Sequence, residues 1–169
     1  LEISTEQVKS LREQSGAGIM DCRNALMSCK GDVDKALEVL KSKGLLKAQK
    51  KAERATGSGI VESYIHTAGR IGALVEVNCE TDFVARTDEF KDLVHCLAMQ
   101  VAAMNPAYIA EKDIPKNKAD KVVANEVCLL LQPYIKDPTK TINDIITETI
   151  AKTGENIKVS RFIRYELGG

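Results

Sequence analysis

The hydrophobic period of this chain changes part-way along, and that change constrains its fold more than any other feature. Over the first 44 residues apolar side chains recur at three- and four-residue steps. From Gly59 onward they alternate, with Ile71, Ala73, Val75, Val77 and Cys79 on one face and Leu74, Glu76 and Asn78 on the other. A period near 3.6 belongs to an amphipathic helix and a period of 2 to a half-buried strand. One kind of element cannot satisfy both, so a helical domain must precede a domain that contains a sheet.

The helical part reads as three short helices. Ser4 and Gln7 have capping-box spacing ahead of Val8 and Leu11, and Gly16-Ala17-Gly18 breaks the first helix. A second fits Ile19 to Cys29, with Ile19, Cys22, Leu26 and Cys29 on one stripe. Gly31 suits its C-terminal end and Asp32 caps a third helix, which carries Val33, Ala36, Leu37 and Leu40 until Gly44. Helices this short bury their stripes only against one another, so a small bundle over 1–44 is expected. The basic stretch 45–57, Lys47 to Arg54 above all, reads as a helical linker, and 58–169 as a second domain.

In that second domain, Gly59–His66 and Arg70–Cys79 form a hairpin about Thr67-Ala68-Gly69. A long helix follows Thr87, with Phe90, Leu93, Val94, Leu97, Val101 and Ala102 in register and Pro106 closing it. Val122, Val123, Val127, Leu130 and Leu131 suggest another helix ending at Pro133. Thr141 and Asp144 cap one carrying Ile142, Ile145, Ile146 and Ile150. Ile157, Val159, Ile163 and Tyr165 alternate along a last strand. The expected class is α+β: an N-terminal three-helix bundle, then a small three-stranded antiparallel sheet with helices.

Little in the chain points to covalent chemistry. HExxH, GxSxG, GxGxxG and phosphate-loop patterns do not occur, and the two histidines, His66 and His95, lie apart. The five cysteines are scattered without a CxxC, so they read as reduced, buried thiols rather than a zinc or redox site. The expectation is a non-enzyme with no metal and no cofactor. Twenty-four basic and 24 acidic side chains cancel, so the phosphate-neutralising excess of a nucleic-acid binder is lacking. No apolar run approaches the roughly 20 residues that span a bilayer. Leu1-Glu2-Ile3-Ser4 has neither the basic nor the hydrophobic region of a signal peptide.

One loop stands out. Asn78-Cys79-Glu80-Thr81-Asp82-Phe83-Val84-Ala85-Arg86 joins a strand to the long helix and carries a large aromatic directly after acidic residues. Phe83 has two readings: a plug filling the core beneath the loop, or an anchor for a partner's pocket.

Thr81-Asp82-Phe83-Val84, preceded by Glu76-Val77-Asn78-Cys79, resembles the signature of the elongation factor Ts family. Three further segments resemble it in family order. They are Val8 to Glu13 with Gly16 to Leu26, Ser63 to His66 with Gly69 to Gly72, and Phe162 to Glu166. The resemblance implies a bundle of the ubiquitin-associated type and a role as exchange factor of elongation factor Tu, in the cytoplasm. It implies partner contacts by Thr81, Asp82, Phe83 and Val84 near the Mg²⁺ and phosphate site of the GTPase domain. Arg12, Ile19, Met20 and Arg23 would dock on a helix of that domain, and His66 would touch the partner beyond the nucleotide; for Ile19 and Met20, burial in the bundle core is the competing reading. Long family members resemble two tandem α+β modules, whereas this chain has one. Its loop is similar to that of the first module, and Ser63 to His66 and the closing strand to those of the second. Short members resemble proteins that dimerise, which implies a homodimer and a 2:2 complex.

Three other functions fit parts of the pattern. The bundle could serve an adaptor that recognises a helical or ubiquitin-like ligand. Cys79 or Cys96 could serve a thiol enzyme, and the Lys47–Arg54 helix could bind RNA.

Overall fold

A computed structural model describes residues 3–118 and 121–169; the leader reading at Leu1 and Glu2 lies partly outside them. The chain divides into two compact units, one of Leu1–Arg54 with Thr147–Asn156 and the other of Ala55–Ile146 with Ile157–Gly169.

The first unit begins with α1 (Thr5–Ser15), α2 (Ile19–Ser28) and α3 (Val33–Lys51). The capping box forms: Gln7 N–H donates to Ser4 Oγ at 3.1 Å and Ser4 N–H to Gln7 Oε1 at 3.0 Å. Gly16 ends α1 in the left-handed region at φ 65°, where a side chain would be strained. Leu11, Cys22, Ala25, Leu26, Ala36 and Leu40 make the bundle core. Gly44 does not stop α3. It is buried mid-helix, with Thr147 and Ala151 alongside, and the helix runs on to Lys51. One glycine costs a helix only about 1 kcal/mol, which packing along its length overcomes. The final turn is held by Lys51 Nζ, which donates to Gly154 O at 2.5 Å. Asn156 Nδ2 donates to Arg54 O at 2.9 Å.

The second unit carries β1 (Ser58–Ile65), β2 (Ile71–Cys79), the one-turn α4 (Asp82–Ala85), α5 (Asp88–Met104), the short α6 (Ala124–Val127), a small hairpin β3–β4 (Pro133–Tyr134, Asp137–Thr141) and the closing β5 (Ile157–Glu166). α7 (Ile142–Thr153) starts here and ends in the first unit. The sheet order is β1-β2-β5, antiparallel throughout. α5 covers one face, and Val75, Val77, Cys79, Phe90, Val94, Leu97 and Val101 are fully buried.

Two expectations fail here for identifiable reasons. The stretch 122–131 is α-helical only at α6, and Leu129–Leu131 make a single 3-10 turn. Cys128 turns extended and bridges Tyr108, and Leu129 N–H and Leu130 N–H donate to Tyr108 O and Ile109 O at 2.9 and 3.0 Å. Those tertiary bonds take the place of the α-helical ladder beyond α6, and Leu129 is buried. In β5 a bulge opposite Glu76 and Val77 inserts one residue. Ile157 and Val159 therefore face α5, whereas Ile163 and Tyr165, expected on the same face, point to the opposite side. The β3–β4 hairpin gave no signal in the sequence. Its neighbourhood is tied to α5 by buried Gln100, whose Nε2 donates to Gln132 Oε1 and Pro133 O.

Candidate functional site

The loop around Phe83 is a folded turn. Thr81 sits extended at its start, and its Oγ1 accepts from Val84 N–H at 3.4 Å, as an N-cap does. Cys79 Sγ donates to Thr81 O at 3.1 Å. Thr87 Oγ1 donates to Val84 O at 2.8 Å and also accepts from Phe90 N–H, the N-cap of α5. Val84 and Ala85 are buried beneath. Two consecutive caps and two buried residues thus pin the backbone between β2 and α5.

On this pinned turn Phe83 is 78% exposed. The reading of Phe83 as a core plug is overturned; Phe90, in the next helix, fills that role at 0% exposure. Asp82 stands beside it, and its carboxylate meets the Arg86 guanidinium at 2.8 Å with both side chains largely in solvent. Such an exposed pair contributes less than about 1 kcal/mol, so Asp82 can change partners at little cost. Of the four residues of the motif, Thr81, Asp82 and Phe83 face outward, and Val84 secures the turn from below.

A second surface lies on the bundle. Ile3, Thr5, Val8, Lys9, Arg12, Ile19 and Arg23 line an open groove of ≈ 440 Å³. Three residues named from the sequence, Arg12, Ile19 and Arg23, come together there. Ile19 and Met20 are 58% and 62% exposed, so neither is core; Met20 stands outside the groove's lining. Lys9, on α1 three residues before Arg12, adds a third cation to the rim; the resemblance did not name it, and only the assembled groove places it there. The groove has an apolar floor with basic edges, which suits an amphipathic segment carrying acidic side chains.

His66 follows β1 at the start of the hairpin turn and is exposed. Its Nδ1 lies 3.2 Å from the Tyr64 hydroxyl. The outer face of the sheet carries Val61 and Ile65 from β1, Leu74 from β2, and Ile163 and Tyr165 from β5, all exposed. Among them Glu76 and Arg161 pair at 2.6 Å, and this hydrogen bond holds the Glu76 carboxyl below the usual carboxylate range.

The cysteines offer no matching arrangement. Cys79 is wholly buried. Cys96 accepts hydrogen bonds from Tyr134 at 3.0 Å and Lys136 at 3.4 Å, and burial together with this bond pushes the Tyr134 hydroxyl upward. Among the described residues no three His, Cys, Asp or Glu side chains gather as a metal site, and no helix is long and apolar enough to cross a membrane. Lys47, in the basic stretch, is paired with Asp21 at 3.0 Å.

The family profile described as Elongation factor TS matches residues 45–124 and 118–169, a span that includes the Phe83 turn, His66 and the whole sheet. The chain belongs to the elongation factor Ts family. It is therefore a translation elongation factor. It is 48% identical to elongation factor Ts of Thermoanaerobacter sp. (strain X514), over 98% of this chain and 95% of that one. Elongation factor Ts of Thermotoga petrophila is 50% identical over 99% and 98% of the two chains. That of Carboxydothermus hydrogenoformans is 48% identical over 98% and 89%. The two profile matches overlap at residues 118–124 and together run from 45 to 169.

Proposed function

We propose that this chain is the guanine nucleotide exchange factor of elongation factor Tu, and that it acts without covalent chemistry. The factor binds the nucleotide-free GTPase more tightly than the GDP-bound form, and by linkage GDP weakens its binding by the same ratio. The observation that carries this reading is Phe83, an aromatic side chain held in water by a turn whose backbone is fixed from both ends. Holding a large apolar group exposed is unfavourable in the free protein and favourable only when a pocket receives it. Phe83 enters an apolar pocket near the Mg²⁺ and phosphate site and displaces the elements that hold them. Asp82 brings a negative charge to the same place and disfavours the local arrangement of metal and phosphate. The bundle groove, through Arg12, Ile19 and Arg23 with Met20 beside them, docks on a helix of the GTPase domain, and His66 contacts the partner farther from the nucleotide.

The outer face of the sheet supports the homodimer and a 2:2 complex with elongation factor Tu. Val61, Ile65, Leu74, Ile163 and Tyr165 form an apolar surface with one mixed-charge pair, Glu76–Arg161, in its midst. A surface of that kind is complementary to itself under a two-fold rotation. In sedimentation the chain should run as a dimer, and Leu74→Lys should dissociate it. Burying an unpaired cation costs on the order of 3 kcal/mol, roughly two decades in Kd. A monomer that exchanges nucleotide at the full rate refutes the dimer. The compartment follows from the partner: the cytoplasm, where translation runs.

The direct test loads elongation factor Tu with fluorescent GDP and follows its release on adding this chain. Acceleration that saturates with factor concentration is expected; release at the intrinsic rate refutes the function.

A further inference from the structure

Glu62 and Tyr64 of β1, His95 of α5 and His66, the residue after β1, form a connected cluster. Glu62 Oε1 lies 3.3 Å from His95 Nδ1. The Tyr64 ring meets the His95 ring edge-on, with centroids 5.9 Å apart and planes at 74°. The Tyr64 hydroxyl then reaches His66 Nδ1 at 3.2 Å. Tyr64 is half-buried, while His66 is exposed at the strand end. The two histidines thus bond through the same nitrogen, Nδ1, to partners of different character, a carboxylate and a phenol.

A carboxylate only accepts, so His95 must carry its proton on Nδ1. For His66 the partner is a phenol. A phenolic O–H is a stronger acid than a neutral imidazole N–H, and an imidazole nitrogen a stronger base than a phenol oxygen. The favoured polarity is therefore Tyr64 O–H donating to His66 Nδ1, which leaves the proton of the neutral ring on Nε2.

We propose that Tyr64 is a positioning residue for His66, fixing it as the Nε2–H tautomer so that it offers the partner an N–H donor. The atom that His66 meets on the GTPase is then an oxygen acceptor, a backbone carbonyl or a carboxylate. The His95 ring and Glu62 support Tyr64 from α5 and β1, so the orientation of His66 is set by the folded sheet rather than acquired on binding. This deepens the proposed function and rests on it only for the identity of the partner.

The tautomer is measurable without the partner. Long-range ¹H–¹⁵N correlation spectra of the whole chain, at a pH of about 8 where imidazoles are ordinarily neutral, should show His66 as Nε2–H and His95 as Nδ1–H. Tyr64→Phe should turn His66 into a mixture and leave His95 unchanged. A wild-type His66 that is already mixed or Nδ1–H, or one that Tyr64→Phe does not alter, overturns the proposal. With elongation factor Tu, Tyr64→Phe should weaken binding by about 3–10-fold, the range for one lost hydrogen bond. It should have no further effect in a His66→Ala background. Full additivity, or unchanged binding despite the altered tautomer, overturns the donor role. If wild-type protein does not bind elongation factor Tu at all, the parent function fails while the spectra still decide what Tyr64 does.

Discussion

The Phe83 turn and the groove of the bundle both keep apolar side chains in solvent, yet they are built in opposite ways. The turn offers a single aromatic on a backbone fixed by the Thr81 and Thr87 caps and by buried Val84 and Ala85. The groove offers width, with an apolar floor of Ile3, Val8 and Ile19 and a rim of Lys9, Arg12 and Arg23. A broad surface adds binding energy whatever nucleotide the partner holds. A rigid point can demand a partner geometry that GDP opposes. Only the second kind of contact separates the two states of the GTPase, because binding both states equally shifts nothing. The groove should set how tightly the factor is held, and the turn how fast nucleotide leaves.

The largest effect should follow Phe83→Ala. Loss of a central aromatic anchor costs about 2–4 kcal/mol, so release should slow by roughly 30- to 1,000-fold, with thermal unfolding and the sedimentation coefficient unchanged. Wild-type release from this variant would leave the turn no privileged role. Ile19→Ala should raise the factor concentration at half-saturation by about 5–30-fold, consistent with losing a few buried methylenes, while release at saturating factor stays as in wild type. A fall in the saturated rate instead would erase the distinction between the two surfaces. Asp82→Ala should be the mildest, a few-fold at most, and should vary with Mg²⁺ concentration because the charge acts on metal and phosphate. A defect independent of Mg²⁺ would assign Asp82 to its pair with Arg86 rather than to the partner's metal.

The particular residues show what the sequence could and could not reveal. Phe90 was legible as core because Leu93, Val94 and Leu97 repeat with it, and the structure buries all four. Phe83 was not, since a turn too short to have a period cannot say which side faces water. Its exposure depends on the Thr81 cap and on Val84 taking the inward position. The docking role proposed for Arg12, Ile19 and Arg23 came from family resemblance, and only the assembled bundle shows them around one groove with Lys9. The outer sheet surface was hidden by the bulge in β5, where one added residue sends Ile163 and Tyr165 to the side opposite Ile157. Bulges leave little trace in composition or periodicity. The 122–131 segment kept a helical spacing of apolar residues, yet tertiary hydrogen bonds to Tyr108 and Ile109 prevailed over that local preference. Gly44 misled in the other direction, because a glycine in the interior of a packed helix is indistinguishable in sequence from one that ends it.

Titrating this chain against elongation factor Tu, once stripped of nucleotide and once saturated with GDP, tests the central claim most directly. The account predicts binding at least ~100-fold tighter to the empty form, with Phe83→Ala bringing the two affinities together. Equal affinities for the empty and GDP-filled forms of the wild-type pair would contradict it.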